Sequence, residues 1–71
     1  MDRETFKSIR LWLGMSQPEF SEFLGISQST VSRIEAGSRS VTDLVRAKIA
    51  KNFEPTEDFI EFLERSKKLA L

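Results

Sequence analysis

The chain has no cysteine, no histidine and no tyrosine among its 71 residues, only three glycines and two prolines, and no net charge. Without cysteine it has no disulfide to support a small core. Without cysteine and histidine, zinc fingers and the usual metal sites are excluded. No apolar run is long enough to cross a bilayer. The segment from Met1 to Leu13 is polar and amphipathic rather than continuously apolar, so it is neither a signal peptide nor a span, and a cytoplasmic protein without a membrane partner is expected. There is no glycine-rich phosphate loop. An enzyme is therefore the weakest reading: no catalytic residue, cofactor or metal is expected, and short helices in so small a chain leave little volume for a pocket.

What is present is helical punctuation. Seventy-one residues make one domain, 1–71, with a marginal to moderate core. No pattern of period two lasts long enough for a strand, and nothing repeats. Arg3–Leu13 reads as a first helix, with Phe6, Ile9, Arg10 and Leu13 at helical spacing and Gly14 as its stop; Trp12 lies off the centre of that stripe. Ser16–Leu24 and Ser27–Glu35 follow, each opened by a Ser-Gln step. Ser16 with Glu19 has the spacing of a capping box, and Ser27 can cap in the same way. Gly25 stands at the elbow between them and Gly37 ends the third helix. Two such helices make a helix-turn-helix unit over 16–37, which is too small to bury its own apolar faces. A fourth helix is expected from about Thr42 to Asn52, capped by Ser40 or Thr42, with Val41, Leu44, Val45, Ile49 and Phe53 on one face. A fifth, roughly 56–68, turns Phe59, Ile60 and Leu63 toward the core with Phe62 flanking. Its Glu57 and Asp58 suit the positive end of the helix dipole, and Lys67 and Lys68 the negative end. The fold class is all-α: a compact five-helix domain containing a helix-turn-helix.

The neutral total hides an uneven distribution. Residues 1–53 carry eight Lys/Arg and six Asp/Glu, whereas residues 54–71 carry three and five. Between Phe23 and Phe53 the cations Arg33, Arg39, Arg46, Lys48 and Lys51 face only Glu35 and Asp43. A basic middle and an acidic end fit one basic face on a small helical domain.

The third helix carries the most functional information. Val31 and Ile34 point inward, with Thr30 and Glu35 at the boundary. Gln28, Ser29, Ser32 and Arg33 point outward, and none of them is a carboxylate. An idle solvated helix face usually carries several Glu and Lys; this one carries side chains that pair with base edges, Gln with adenine, Arg with guanine and Ser with several. These four are the candidate base readers, with Gln28 in the first turn, where a recognition helix reaches deepest. The bland alternative for Arg33 is a surface charge beside an acid. Gln17, at the start of the second helix, is a candidate backbone contact through its side chain and the free N–H groups there. Ser38, Arg39 and Ser40 form a polar loop suited to contacts with the flanking strand, and Arg46, Lys48 and Lys51 add to the field rather than make specific contacts. Arg10 and Glu35 lie at the edges of apolar stripes on the first and third helices. A scaffold ion pair between them would tie the recognition helix down, and two unrelated surface charges are the alternative.

On these residues the segment from about Phe6 to Phe53 resembles the Cro/C1-type (Xre) helix-turn-helix family. The resemblance rests on GMSQPEFSEFLGISQSTVSRIEAGSRS and the KIAKNF helix end, although Phe20 and Ser21 stand where alanine is common in the family. It covers about two-thirds of the chain. It implies a lambda-repressor-like, usually dimeric binder of double-stranded DNA that regulates transcription by reading roughly palindromic operators through successive major grooves. Carried onto this chain, it implies base reading by Gln28, Ser29, Ser32 and Arg33. It also implies a phosphate contact at Gln17 that orients Gln28, a loop–backbone contact at Arg39 and an Arg10–Glu35 pair. The fifth helix often contributes to dimerisation in the family, which makes Phe59, Phe62, Leu69 and Leu71 candidate dimer contacts. The expected regulator is a homodimeric repressor, and three forms are open for it: a Cro-like stand-alone regulator, a fragment, or a subunit that depends on weak DNA-assisted pairing. The competing function is a protein-interaction or antitoxin-type regulator that holds a protein partner on the acidic fifth helix.

Overall fold

A computed structural model describes residues 1–69 and folds them as five α-helices: α1 Arg3–Trp12, α2 Gln17–Leu24, α3 Gln28–Ala36, α4 Asp43–Asn52 and α5 Glu57–Leu69. No helix among the described residues is long and apolar enough to cross a membrane.

Each start has a local cause. Asp2, Ser16, Ser27 and Thr42 are the N-caps of α1 to α4, each accepting the backbone N–H three residues on. Thr42, rather than Ser40, therefore starts α4. At α2 the capping box is complete: Ser16 Oγ accepts from Glu19 N–H at 3.2 Å, and the Glu19 carboxylate accepts from Ser16 N–H at 2.9 Å. Those hydrogen bonds hold the Glu19 carboxyl below its ordinary pKa of 4.5. Thr56 Oγ1 accepts from Phe59 N–H at the head of α5. The ends of α2 and α3 turn on glycine. Gly25 and Gly37 have φ of 70° and 82°, a region that side chains with a Cβ enter at a cost.

Phe6, Phe20, Val31 and Ile34 are wholly enclosed, and Ile9, Leu24, Val45, Ile49 and Phe59 complete the core. α2 packs on α3 and α4, and α1 packs on α3 and α5. Phe20 occupies its place by setting its ring edge-on to Phe6, 5.2 Å between centroids. Ser21 is buried beside it, and its hydroxyl donates to Pro18 O at 2.7 Å. Trp12 covers an edge of the core, tilted against Phe62 at 5.2 Å while 41% exposed.

Three expectations need correction. Leu44 is 68% exposed and Ile60 46% exposed. Each sits one residue, hence about 100°, from the stripe its helix buries: Val41, Val45, Ile49 and Phe53 on α4, and Phe59, Phe62 and Leu63 on α5. Phe59 was expected as a dimer contact, but it is 3% exposed and packs edge-on to Phe53 at 4.9 Å, so its ring belongs to the core. Phe62 is half-buried and Leu69 exposed, while Leu71 lies outside the described residues.

Candidate nucleic-acid interface

The buried Val31 and Ile34 fix which side of α3 faces out. At 100° per residue, Glu35 and Gln28 border the inward arc on one side, and Thr30 and Gly37 border it on the other. Gln28, Ser29, Ser32 and Arg33 occupy the face between them and are exposed. None of their side chains is held by another group among the described residues. The structure thus brings the four candidate base readers together on one face, uncommitted. The helix beneath them is not free to move. Ser27 Oγ accepts Thr30 N–H at 3.1 Å and lies 2.8 Å from Thr30 Oγ1, fixing the first turn.

On the Glu35 side the polar groups are committed to one another. Arg10 grips the Glu35 carboxylate with two parallel bonds, Nε to Oε2 at 2.7 Å and Nη2 to Oε1 at 2.8 Å, and its Nη1 donates to Met15 O at 3.0 Å. The two side chains are only 12% and 6% exposed. Hydrogen bonding to that carboxylate pushes the guanidinium pKa further up. A pair at this depth is costly to break from one side, because the survivor is a buried charge. Gln17 joins the same cluster, its Nε2 donating to Glu35 Oε1 at 3.2 Å.

That contact changes what the start of α2 offers to a phosphate. The Gln17 amide is drawn to Glu35, Pro18 has no N–H, Glu19 N–H is taken by Ser16, and the Glu19 carboxylate already sits at this helix end. Of the N–H groups expected to be free there, the one at Gln17 alone remains.

The loop after α3 is more open. Ser38 N–H and Oγ–H both donate to Arg33 O, at 3.0 and 3.2 Å, so Ser38 closes the helix and has no hydroxyl hydrogen left for a phosphate. Arg39 and Ser40 are exposed, and Arg39 Nη1 reaches Thr30 Oγ1 at 3.5 Å, which lays its guanidinium along the first turn of α3.

Three cations have contacts that periodicity did not assign. Lys48 Nζ donates to Gly25 O at 3.0 Å and ties α4 to the elbow of the helix-turn-helix, so it braces the unit while keeping its charge. Arg46 is engaged with Asp43 at 2.7 Å. Arg3 Nη1 donates to Ala36 O at 3.3 Å, and its guanidinium lies over Gly37, where a Cβ would collide with it. A signal existed for Arg3: it stands seven residues before Arg10, two turns along the same stripe of α1, and both reach the last turn of α3.

A family model described as Helix-turn-helix matches residues 6–59. No curated protein and no solved structure matches the chain. The match runs from within α1 to the start of α5 and includes the capped α2, the glycine elbow, and the α3 whose uncommitted face is held from behind by Arg10 and Glu35. The chain belongs to the Cro/C1-type helix-turn-helix family of DNA-binding transcription regulators.

Proposed function

We propose that the chain is a sequence-specific repressor that acts as a homodimer on a near-palindromic operator. α3 enters the major groove and Gln28, Ser29, Ser32 and Arg33 select bases, while phosphate contacts fix the register. One observation carries this reading: four adjacent hydrogen-bonding side chains, free of partners, on a helix whose rear is clamped. Donors without partners need break no internal bond to reach a base, and the fixed helix beneath them spares the cost of ordering backbone.

Dimerisation through α5 is part of the same proposal. Ile60 lies at an apolar groove between α1, α4 and α5, lined by Ile49, Phe53, Pro55 and Leu63. The helix is acidic at Glu57 and Asp58 and basic at Lys67 and Lys68. Two copies related by a twofold axis, with their α5 helices antiparallel, would set unlike charges opposite each other.

The test is selection from random duplex DNA with the full chain, repeated with Gln28→Ala and Arg33→Ala. The base-reading assignment expects each variant to lose preference at a few positions per half-site. Uniform weakening on all sequences would move these residues to the backbone. A flat profile for the parent would favour a protein partner at α5 instead. Repression is read separately, as lower output from a promoter overlapping the selected site.

A further inference from the structure

The two sides of α3 are unequal in a way that bears on where the DNA backbone is held. On the Glu35 side the cation is committed and largely enclosed: Arg10 spends three N–H groups on Glu35 and Met15 O, and its side chain is 12% exposed. On the Thr30 side, a cleft of about 260 Å³ opens between the head of α1 and the loop after α3, lined by Arg3, Gly37, Arg39 and Ser40. Arg3 spends a single N–H, on Ala36 O, and keeps the rest of its fork. Arg39 spends at most one, and Ser40 none, among the described residues. The N–H groups of residues 39–41 have no backbone partner either. Asp2 also lines the cleft, but its carboxylate is turned to Thr5 N–H at 2.7 Å and lies 4.0 Å from Lys67 Nζ. Gly37 is what lets the Arg3 guanidinium lie this close to the helix end.

We propose that Arg3, Arg39 and Ser40 form a notch for a backbone phosphate of the strand that borders the groove on the Thr30 side, so that the duplex is anchored more strongly there than at the start of α2. A phosphodiester suits the cleft chemically: two guanidinium forks from separate elements, a hydroxyl and loop N–H groups border it, with Arg3 at the last turn of α3 and Arg39 able to swing to it once it leaves Thr30. The inference rests on the DNA-binding reading and adds to it a residue of α1 that lies outside the helix-turn-helix.

The test is the salt dependence of binding to a selected duplex for the parent, Arg3→Gln, Arg3→Lys and Arg39→Gln, with melting temperatures measured alongside. Each phosphate neutralised contributes about 0.9 to the slope of log K against log salt. Arg3→Gln and Arg39→Gln should each reduce the slope by about one and weaken binding several-fold on every sequence, leaving base preference unchanged. Arg3→Lys should keep the slope, because it keeps the charge. Melting that falls for both Arg3 variants while both slopes stay at the parent's value would make Arg3 a cap of α3 only and overturn the notch. So would an unchanged slope in a normally melting Arg3→Gln. A parent that binds no duplex in a salt-dependent way would instead remove the DNA-binding reading itself.

Discussion

The two flanks of the recognition helix are built from the same kinds of side chain and do opposite work. On the Glu35 flank, Arg10, Gln17 and Glu35 are buried or half-buried and satisfy one another. On the Thr30 flank, Arg3, Arg39 and Ser40 are exposed and mostly unspent. An arginine is thus a strut on one side of a nine-residue helix and an available ligand on the other. What decides between the two is whether a carboxylate is within reach in the folded chain. Net charge, which is zero overall, says nothing about it.

The largest way to break this contrast is to remove the carboxylate. Glu35→Ala leaves Arg10 charged and enclosed, and should cost about 3–5 kcal/mol, read as the midpoint of a denaturant titration. Replacing both partners together, Arg10→Met with Glu35→Leu, should recover much of that loss, since no buried charge then lacks a partner. A Glu35→Ala protein as stable as the parent would mean that the bidentate pair is not a clamp.

Next in size are the uncommitted side chains between the flanks. Gln28→Ala and Arg33→Ala should each relax discrimination at their own bases by about 1–3 kcal/mol, with melting close to the parent's. A simultaneous drop in stability would show that the face is tied to the scaffold after all.

Gly37→Ala tests the open flank. A φ of 82° costs an L-residue roughly 1–2 kcal/mol, and the new methyl must push the Arg3 guanidinium aside. Stability should fall by that amount, and DNA affinity by more than stability alone explains if Arg3 serves the notch. Equal losses in Gly37→Ala and in Gly37→Ala combined with Arg3→Gln would separate backbone strain from displacement.

The smallest effect lies on the closed flank, at the head of α2. The Glu19 carboxyl is held below its ordinary value by its bonds with Ser16. A carboxyl with a depressed folded pKa contributes stability above its unfolded pKa and loses it as pH falls through the folded one. Glu19→Gln should therefore lower the melting temperature slightly at neutral pH and leave a shallower decline on the acid side of pH 4.5, the two proteins converging at low pH.

Much of this was legible in the sequence, for physical reasons that also mark where legibility stopped. Caps and glycine stops act within four residues, so the starts of α2 and α3 and the elbow at Gly25 could be read directly. The inward Val31 and Ile34 needed only the helical period. Leu44 and Ile60 failed because each lies about 100° from the stripe its helix buries, and a run of neighbouring apolar residues does not mark where that arc stops. Gln17 and Lys48 make contacts that periodicity does not show, because only the fold brings Glu35 or Gly25 O within their reach. The Arg10–Glu35 contact could be foreseen because both ends lie at the margin of an apolar stripe. Arg3 lies on the same stripe of α1, but its acceptor is a backbone carbonyl, which the sequence does not mark.

Trp12 has a consequence of another kind. It is the single tryptophan in a chain without tyrosine, and its ring rests on Phe59 and Phe62, where α1 crosses α5. Its emission is therefore a native optical probe of that junction, separated from the α3 face by the core. Protein that pairs through α5 should shift its emission as concentration rises. Protein that docks a duplex as a preformed unit should leave the spectrum unchanged, so one unlabelled sample can time assembly and recognition independently.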